Sequence, residues 1–207
     1  MDEGHIGVDE SGKGDYFGPL VIAACYVGPE HLSELEGVKD SKKLSDPVAL
    51  RLAASIRRVC PCSVVAIGPK KYNELYTKFK NLNRLLAWGH ARAIENVLDI
   101  RPCGLAISDQ FADPFGLRRA LFEKGKQVEL RSLVRAESDI AVAAASILAR
   151  AEFLNRLKRL SDEFGVCLPK GATNVVPVAR KFLALHGPNR LEEVAKLHFK
   201  TTEQVLV

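Results

Sequence analysis

Two adjacent carboxylates, Asp9 and Glu10, close a short apolar run and open directly onto Gly12-Lys13-Gly14. No other feature limits the fold of this chain so strongly. Ile6 and Val8 alternate with Gly7 as strand residues do. Side chains on a strand point to alternate faces, so a regular strand sends Asp9 and Glu10 to opposite sides. Glycine permits the positive φ values that turn a chain, and the uninterrupted apolar run from Leu20 to Val27 reads as a strand pairing back on the first. Two acids at a strand end, beside a turn of open amides and a lysine, can hold a divalent metal next to a phosphate. The plain alternative is a hairpin with two solvated acids, and motifs of this length recur by chance.

The rest of the pattern is α/β. Ser45 or Asp46 is placed to cap a helix with Pro47 in its first turn, and Leu50, Ala53, Ile56 and Val59 keep helical spacing until Pro61 ends it. Residues 63–67 read as a buried strand, stopped by Gly68-Pro69. Residues 70–80 are basic, with Tyr72, Tyr76 and Phe79 interleaved. A long helix is expected over 82–98, a strand over 104–109 that ends in Asp109, a short helix over 113–123 and a strand over 128–134. A second long helix is expected over 140–161, and its run of small residues from Ala141 to Ser146 allows close packing on a sheet. Helices near 178–185 and over 191–198 complete the chain. This order predicts a mixed central β-sheet flanked by helices, with one domain over 1–165 and a C-terminal helical extension over 166–207 packed on it.

Composition narrows the partners. The 207 residues are 47 % hydrophobic and 27 % charged, enough for a full core without disulfide or metal staples. A net charge of +5 and a pI near 9.0 lean toward a polyanionic partner. The spacings of the five cysteines match no zinc module, so they read as reduced, mostly buried thiols. There is no signal-peptide core and no 18-residue apolar run, which gives the expectation of a cytoplasmic protein without a membrane partner.

Acids fall at three expected strand ends: Asp9 with Glu10, then Asp109, then Glu137 with Asp139 nearby. Ligands of α/β sheets gather outside strand ends, and hard oxygen ligands suit Mg²⁺ or Mn²⁺ better than zinc. A group of three or four carboxylates suggests a two-metal site for phosphoryl displacement. Taken singly, each acid reads more readily as a solvated loop residue or a helix cap, and only their joint placement, with lysines beside the first pair, brings the metal reading level with that one. Two rival functions share these features. A non-catalytic nucleic-acid-binding module would use only the basic surface, and gains nothing from negative charge at a phosphate site. A nucleotide-binding phosphotransferase would need a G-x-x-x-x-G-K-[ST] or G-x-G-x-x-G pattern after the first strand, and neither occurs there.

The stretch from Gly7 to Gly14, with Phe17-Gly18-Pro19, resembles the first motif of the type 2 ribonucleases H. Asp40-Ser41-Lys42-Lys43-Leu44-Ser45 resembles their second, and residues 144–150 resemble their helix after the last acid. Within that group the chain is most similar to ribonuclease HIII, through Asn81-Leu82-Asn83, Trp88-Gly89-His90-Ala91-Arg92, Asp109-Gln110-Phe111, Ala136-Glu137-Ser138 and Ala195-Lys196-Leu197-His198-Phe199. The resemblance implies a ribonuclease H-like fold and endonucleolytic hydrolysis of the RNA strand of RNA/DNA hybrids by a two-metal-ion mechanism, leaving 3′-hydroxyl and 5′-phosphate ends. It implies Asp9, Glu10, Asp109 and Glu137 as catalytic and metal ligands, with Asp139 in reserve for the fourth. The cofactors implied are Mg²⁺ or Mn²⁺, two ions with substrate bound.

For the substrate it implies contacts from Ser11, Gly12, Lys13 and Gly14 and from Ser41, Lys42 and Lys43, extended by Lys80 or Arg84. His90, His186 and His198 are expected to be structural or at the surface, with no general base among them. The expected partner is an RNA/DNA hybrid and the expected state a monomer. Ribonuclease HIII usually carries a substrate-binding domain ahead of the catalytic one, whereas here only six residues precede the completed first strand. In ribonuclease HII a tyrosine after a Lys-Gly segment stacks at RNA-to-DNA junctions, and Lys170-Gly171 is here followed by Ala172.

Overall fold

Five strands form one sheet in the order β3-β2-β1-β4-β5, and the first three pair antiparallel while β1, β4 and β5 run parallel. The computed structural model describes residues 4–38, 44–109, 114–134 and 136–206, with the side chains of Pro114 and Glu137 excepted. β1 (His5–Ser11) pairs along its whole length with β2 (Leu20–Val27), whose residues are all buried. β3 (Cys62–Ile67) lies at one edge, and β4 (Leu105–Asp109) and β5 (Glu129–Leu133) extend the other side. The mixed sheet expected from the sequence is therefore present.

Helices cover both faces. On one lies α5 (Ile140–Phe164), backed by α1 (Asp46–Val59) and α6 (Val176–His186). On the other lie α2 (Pro69–Phe79), α3 (Leu82–Ile100) and α4 (Pro114–Ala120). The two buried clusters follow strand alternation: Ile6 and Val8 face α3, whereas Val21, Ala23 and Cys25 face α5. Gly7 lets α5 sit hard on β1, because a Cβ there would lie 2.1 Å from the backbone of Ala141 and Val142. The small residues opening α5 complete this close approach, as their composition suggested.

One stretch without an assignment gains one, and two local expectations need correction. The basic, aromatic stretch at 70–80 forms α2, because Gly68 and Pro69 start a helix there and Tyr72 turns its ring inward, fully buried. Residues 191–198 do not form one helix. A 3₁₀ turn spans Pro188–Glu193, after which Ala195 bridges Phe17 and the Lys196 amide donates to the Tyr16 carbonyl, so tertiary hydrogen bonds replace the helical ones. A last helix, α7 (Lys200–Leu206), follows that segment. Among the cysteines, all free thiols, Cys167 is exposed. No helix of the described residues is long and apolar enough to cross a membrane.

Candidate active site

The last paired residues of parallel β1 and β4 are Val8 and Ser108, so one step further the register sets Asp9 beside Asp109. Both belong to the α5 face: Asp9 alternates with Gly7, which touches α5, and Asp109 with Ile107, which packs on Val142 and Ala136. Asp109 Oδ1 accepts the Ala136 amide at 3.0 Å, tying the end of β4 to the 3₁₀ turn Ala136–Ser138 that carries Glu137. Asp9 accepts the Glu10 amide at 2.8 Å and a hydrogen bond from the Ser146 hydroxyl on α5.

Glu10 points the other way, as alternation requires. Its Oε2 meets His90 Nε2 at 2.9 Å, and its Oε1 receives the Lys13 ammonium at 3.1 Å. An ionised carboxylate only accepts, so His90 donates through Nε2. On the far side of the ring, Ser108 Oγ lies 3.4 Å from Nδ1. His90 is fully buried, not a surface residue, and it holds one of the acids in place. Sequence reasoning placed His90 only as structural or at the surface and gave Ser146 no role, although both lie in stretches that carry the family resemblance. The available signal was helical position, since each sits on the helix face turned toward β1.

The two neighbouring acids titrate far apart. Burial, and then the negative charge of Glu10, push Asp9 up to about 6 against the hydrogen bonds it accepts. Burial would also raise Glu10, but the His90 hydrogen bond and charge, with Lys13, outweigh it and bring Glu10 down to about 2. Asp139 is committed elsewhere. It caps α5 by accepting from the Ala141 and Val142 amides at 3.0 Å each, and its Oδ2 meets His5 Nε2 at 2.8 Å. Burial opposes ionisation of Asp139, and the His5 and amide hydrogen bonds overcome it, so its carboxyl titrates below the usual value.

The turn after β1 is sharply held. Gly12 has φ +88°, and a Cβ there would come within 2.2 Å of the Pro19 carbonyl. Gly14 is exposed and Ser11 and Lys13 are partly so. Ser41, Lys42 and Lys43 lie outside the described residues, as does the Glu137 side chain. Asp46, next to that second motif, receives Arg150 and Lys170 at 2.6 Å each. Lys80 and Arg84 are exposed, and Asn81 between them caps α3. His186 Nε2 meets the Phe164 carbonyl at 2.8 Å, and His198 stacks on Tyr76 at 4.3 Å between ring centres, so both are structural.

Among the described residues, no three His, Cys, Asp or Glu side chains gather into a ready-made metal cage. Each acid already has partners of its own: Glu10 has His90 and Lys13, and Asp109 has the Ala136 amide. The donors nevertheless suit a hard divalent cation. They are carboxylate oxygens, and positive charge would relieve both the burial cost and the repulsion that raise Asp9.

Comparison with known proteins adds to this geometry. The family described as Ribonuclease HII matches residues 6–202. The ribonuclease HIII of Protochlamydia amoebophila (strain UWE25) is 49 % identical over 205 residues, covering 98 % of this chain and 68 % of that protein. The ribonuclease HIII of Chlamydia pneumoniae is 47 % identical over 207 residues, covering 97 % of this chain and 69 % of that one. Among solved structures, Bst-RNase HIII in complex with Mn²⁺ superposes with a TM-score of 0.91 at 34 % identity, covering 99 % of this chain and 70 % of that chain.

Proposed function

The chain belongs to the ribonuclease HII family, and from that membership we infer an endoribonuclease that hydrolyses the RNA strand of RNA/DNA hybrids at the ends of β1 and β4. The observation that carries this reading is the adjacency of Asp9 and Asp109 on the α5 face, with Asp109 tethering the turn that bears Glu137. Asp9, Glu10, Asp109 and Glu137 form the catalytic set. Asp139 is set aside because both of its oxygens are occupied by the α5 cap and His5.

These four carboxylates would hold Mg²⁺ or Mn²⁺, and the Mn²⁺ in the solved relative supports that choice. Two such ions, when bound with substrate, supply an activated water and stabilise the leaving oxygen of an in-line displacement, leaving 3′-hydroxyl and 5′-phosphate ends. The chain's own residues do the positioning. Ser146 and the Glu10 amide orient Asp9, while His90 and Lys13 orient Glu10. The Gly12-Lys13-Gly14 turn and Ser11 receive the nucleic-acid backbone through open amides and approach the sugar edge, where the 2′-hydroxyl separates RNA from DNA. Ser41, Lys42 and Lys43, extended by Lys80 or Arg84, grip flanking phosphates, the hydroxyl by hydrogen bonding and the cations by neutralising charge. The same reading takes the protein as a cytoplasmic monomer.

Cleavage of an end-labelled RNA/DNA hybrid, in Mg²⁺ or Mn²⁺ and again in EDTA, tests this function. Metal-dependent cutting confined to the RNA strand, with 3′-hydroxyl ends that a polymerase extends directly, is expected. Cutting that persists in EDTA, or that leaves 2′,3′-cyclic phosphates, would refute it.

A further inference from the structure

Lys196 is the most deeply buried lysine side chain among the described residues, with no surface exposed, and the catalytic set makes no use of it. It lies in the segment between the 3₁₀ turn Pro188–Glu193 and α7. Its Nζ donates to the carbonyls of Asp15 at 2.8 Å and Gly18 at 2.7 Å, and its backbone amide donates to the Tyr16 carbonyl at 2.9 Å. One residue near the C-terminus thus satisfies three carbonyls of the loop that follows the Gly12-Lys13-Gly14 turn.

Other contacts make the same junction. The Gly18 amide donates to Val194, Phe17 bridges Ala195, and the Tyr16 and Thr202 hydroxyls lie 3.3 Å apart. From the other side, the Gly171 amide donates to Asp15 Oδ1 at 2.6 Å, and the Tyr16 amide donates to the Gly171 carbonyl. Asn73 of α2 fixes the segment that carries Lys196, accepting from the Leu197 amide and donating to the Glu192 and Ala195 carbonyls.

Burying an ammonium is costly, and a purely packing role would be met by an apolar chain of equal length. Burial, against the attraction of Asp15, brings this amine down to about 7. A neutral amine retains two N–H groups, which match the two carbonyls it meets. When protonated, it has a third N–H and the Tyr72 ring centre 5.7 Å away. In either state the amine grips the same loop.

We propose that Lys196 is a positioning residue for substrate: it clamps residues 15–18 from the C-terminal segment and so fixes where the Gly12-Lys13-Gly14 turn meets the RNA/DNA backbone. The inference rests on the function proposed above. It assigns the Ala195-Lys196-Leu197-His198-Phe199 stretch a role in substrate binding, separate from the metal-holding acids.

The test compares wild type, Lys196→Met and Asn73→Ala, using the whole chain. For each, KM and kcat are measured on a continuous RNA/DNA hybrid, along with the rise in melting temperature on adding Mn²⁺ and the hydrogen exchange of residues 12–18. Lys196→Met is expected to raise KM about tenfold or more, with kcat within about twofold. The Mn²⁺ shift should stay at its wild-type size, and faster exchange should be confined to 12–18. Asn73→Ala loosens the carrying segment while keeping the amine, and should raise KM by a smaller factor in the same direction. It also serves as the variant of record if Lys196→Met does not fold. Unchanged KM with a lowered melting temperature would overturn the proposal by leaving Lys196 a stability role only. Loss of the Mn²⁺ shift would overturn it too, by showing that the whole site collapsed. If wild type itself does not cut hybrids, the proposed function fails, and the exchange data alone judge the clamp: unchanged protection of 12–18 in Lys196→Met overturns it.

Discussion

His90, closed off from solvent on α3, donates through Nε2 to Oε2 of Glu10 at 2.9 Å. That contact reaches an acid of the proposed catalytic set from the sheet face opposite Asp9. It helps keep a buried carboxylate ionised, since without it the Glu10 carboxyl would move up from about 2, leaving Lys13 alone to offset burial. His90→Ala should therefore cut kcat about 10–100-fold, the usual size of effect when a partner that orients a metal ligand is lost. It should also weaken stabilisation by Mn²⁺. His90→Gln, which keeps a donor, should recover part of both. Wild-type kcat in His90→Ala would show that Glu10 needs no such support.

Gly7 is as specific a requirement as any acid. A Cβ at that position would sit 2.1 Å from α5 backbone atoms, so Gly7→Ala must push the helix carrying Ser146 away from β1. A loss of at least about 2 kcal/mol in urea unfolding is expected, along with loss of activity. A change within about 0.5 kcal/mol, the range of an ordinary surface substitution, would contradict the close-packing account.

Asp9 makes metal-free stability depend on pH. Its carboxyl titrates at 3.8 when unconstrained and at about 6 in the fold. The folded state therefore binds this proton more tightly, and the resulting stability is present below pH 3.8 and lost as pH rises through about 6. Glu10 runs the opposite way, contributing above pH 4.5 and losing that contribution as pH falls toward about 2. In EDTA at neutral pH, Asp9→Asn should thus be more stable than wild type, by up to about 3 kcal/mol, while losing cleavage. The advantage should vanish near pH 3.8, the unconstrained value. An Asp9→Asn protein less stable than wild type at neutral pH in EDTA would contradict this account.

Much of this arrangement was readable in the order of residues. The alternation Ile6, Val8, Glu10 against Gly7, Asp9, Ser11 gave the two faces of β1, and the small run opening α5 gave its close contact. Partners contributed from a distance were not readable. His90 lies 80 residues from Glu10, and Lys196 lies 181 from Asp15, and no local periodicity reports such a pairing. The 191–198 stretch misled for a physical reason: its apolar spacing is helical, but its backbone groups find better partners in Tyr16, Gly18 and Asn73. The basic, aromatic stretch 70–80 carried no assignment from its sequence, and Tyr72 packs inward there beside His198.

Ala172 bears on which hybrids are cut. It is partly buried against the main core, next to Gly171, whose backbone binds Asp15 and Tyr16. It follows the residue that holds the loop after the Gly12-Lys13-Gly14 turn, the turn proposed to receive substrate, and it offers only a methyl group. A stacked aromatic is worth about 1–3 kcal/mol against a nucleotide. Rates on a duplex with one embedded ribonucleotide should fall well below those on a continuous hybrid in Mg²⁺. Equal or faster cutting of the single-ribonucleotide duplex would show that another residue reads the junction.

Asp9, Glu10, Asp109 and Glu137 are proposed together to hold the metal that cuts RNA in a hybrid. The most direct measurement is the single-turnover cleavage rate of a labelled RNA/DNA hybrid in saturating Mn²⁺, for wild type beside Asp9→Asn, Glu10→Gln, Asp109→Asn, Glu137→Gln and Asp139→Asn. Each of the first four substitutions keeps side-chain volume, removes the charge that binds the cation, and should reduce the rate by roughly a thousandfold or more. Asp139→Asn should retain most of it, with only a loss of stability from its α5 cap. A Glu137→Gln enzyme cutting at the wild-type rate beside an inactive Asp139→Asn would contradict the account.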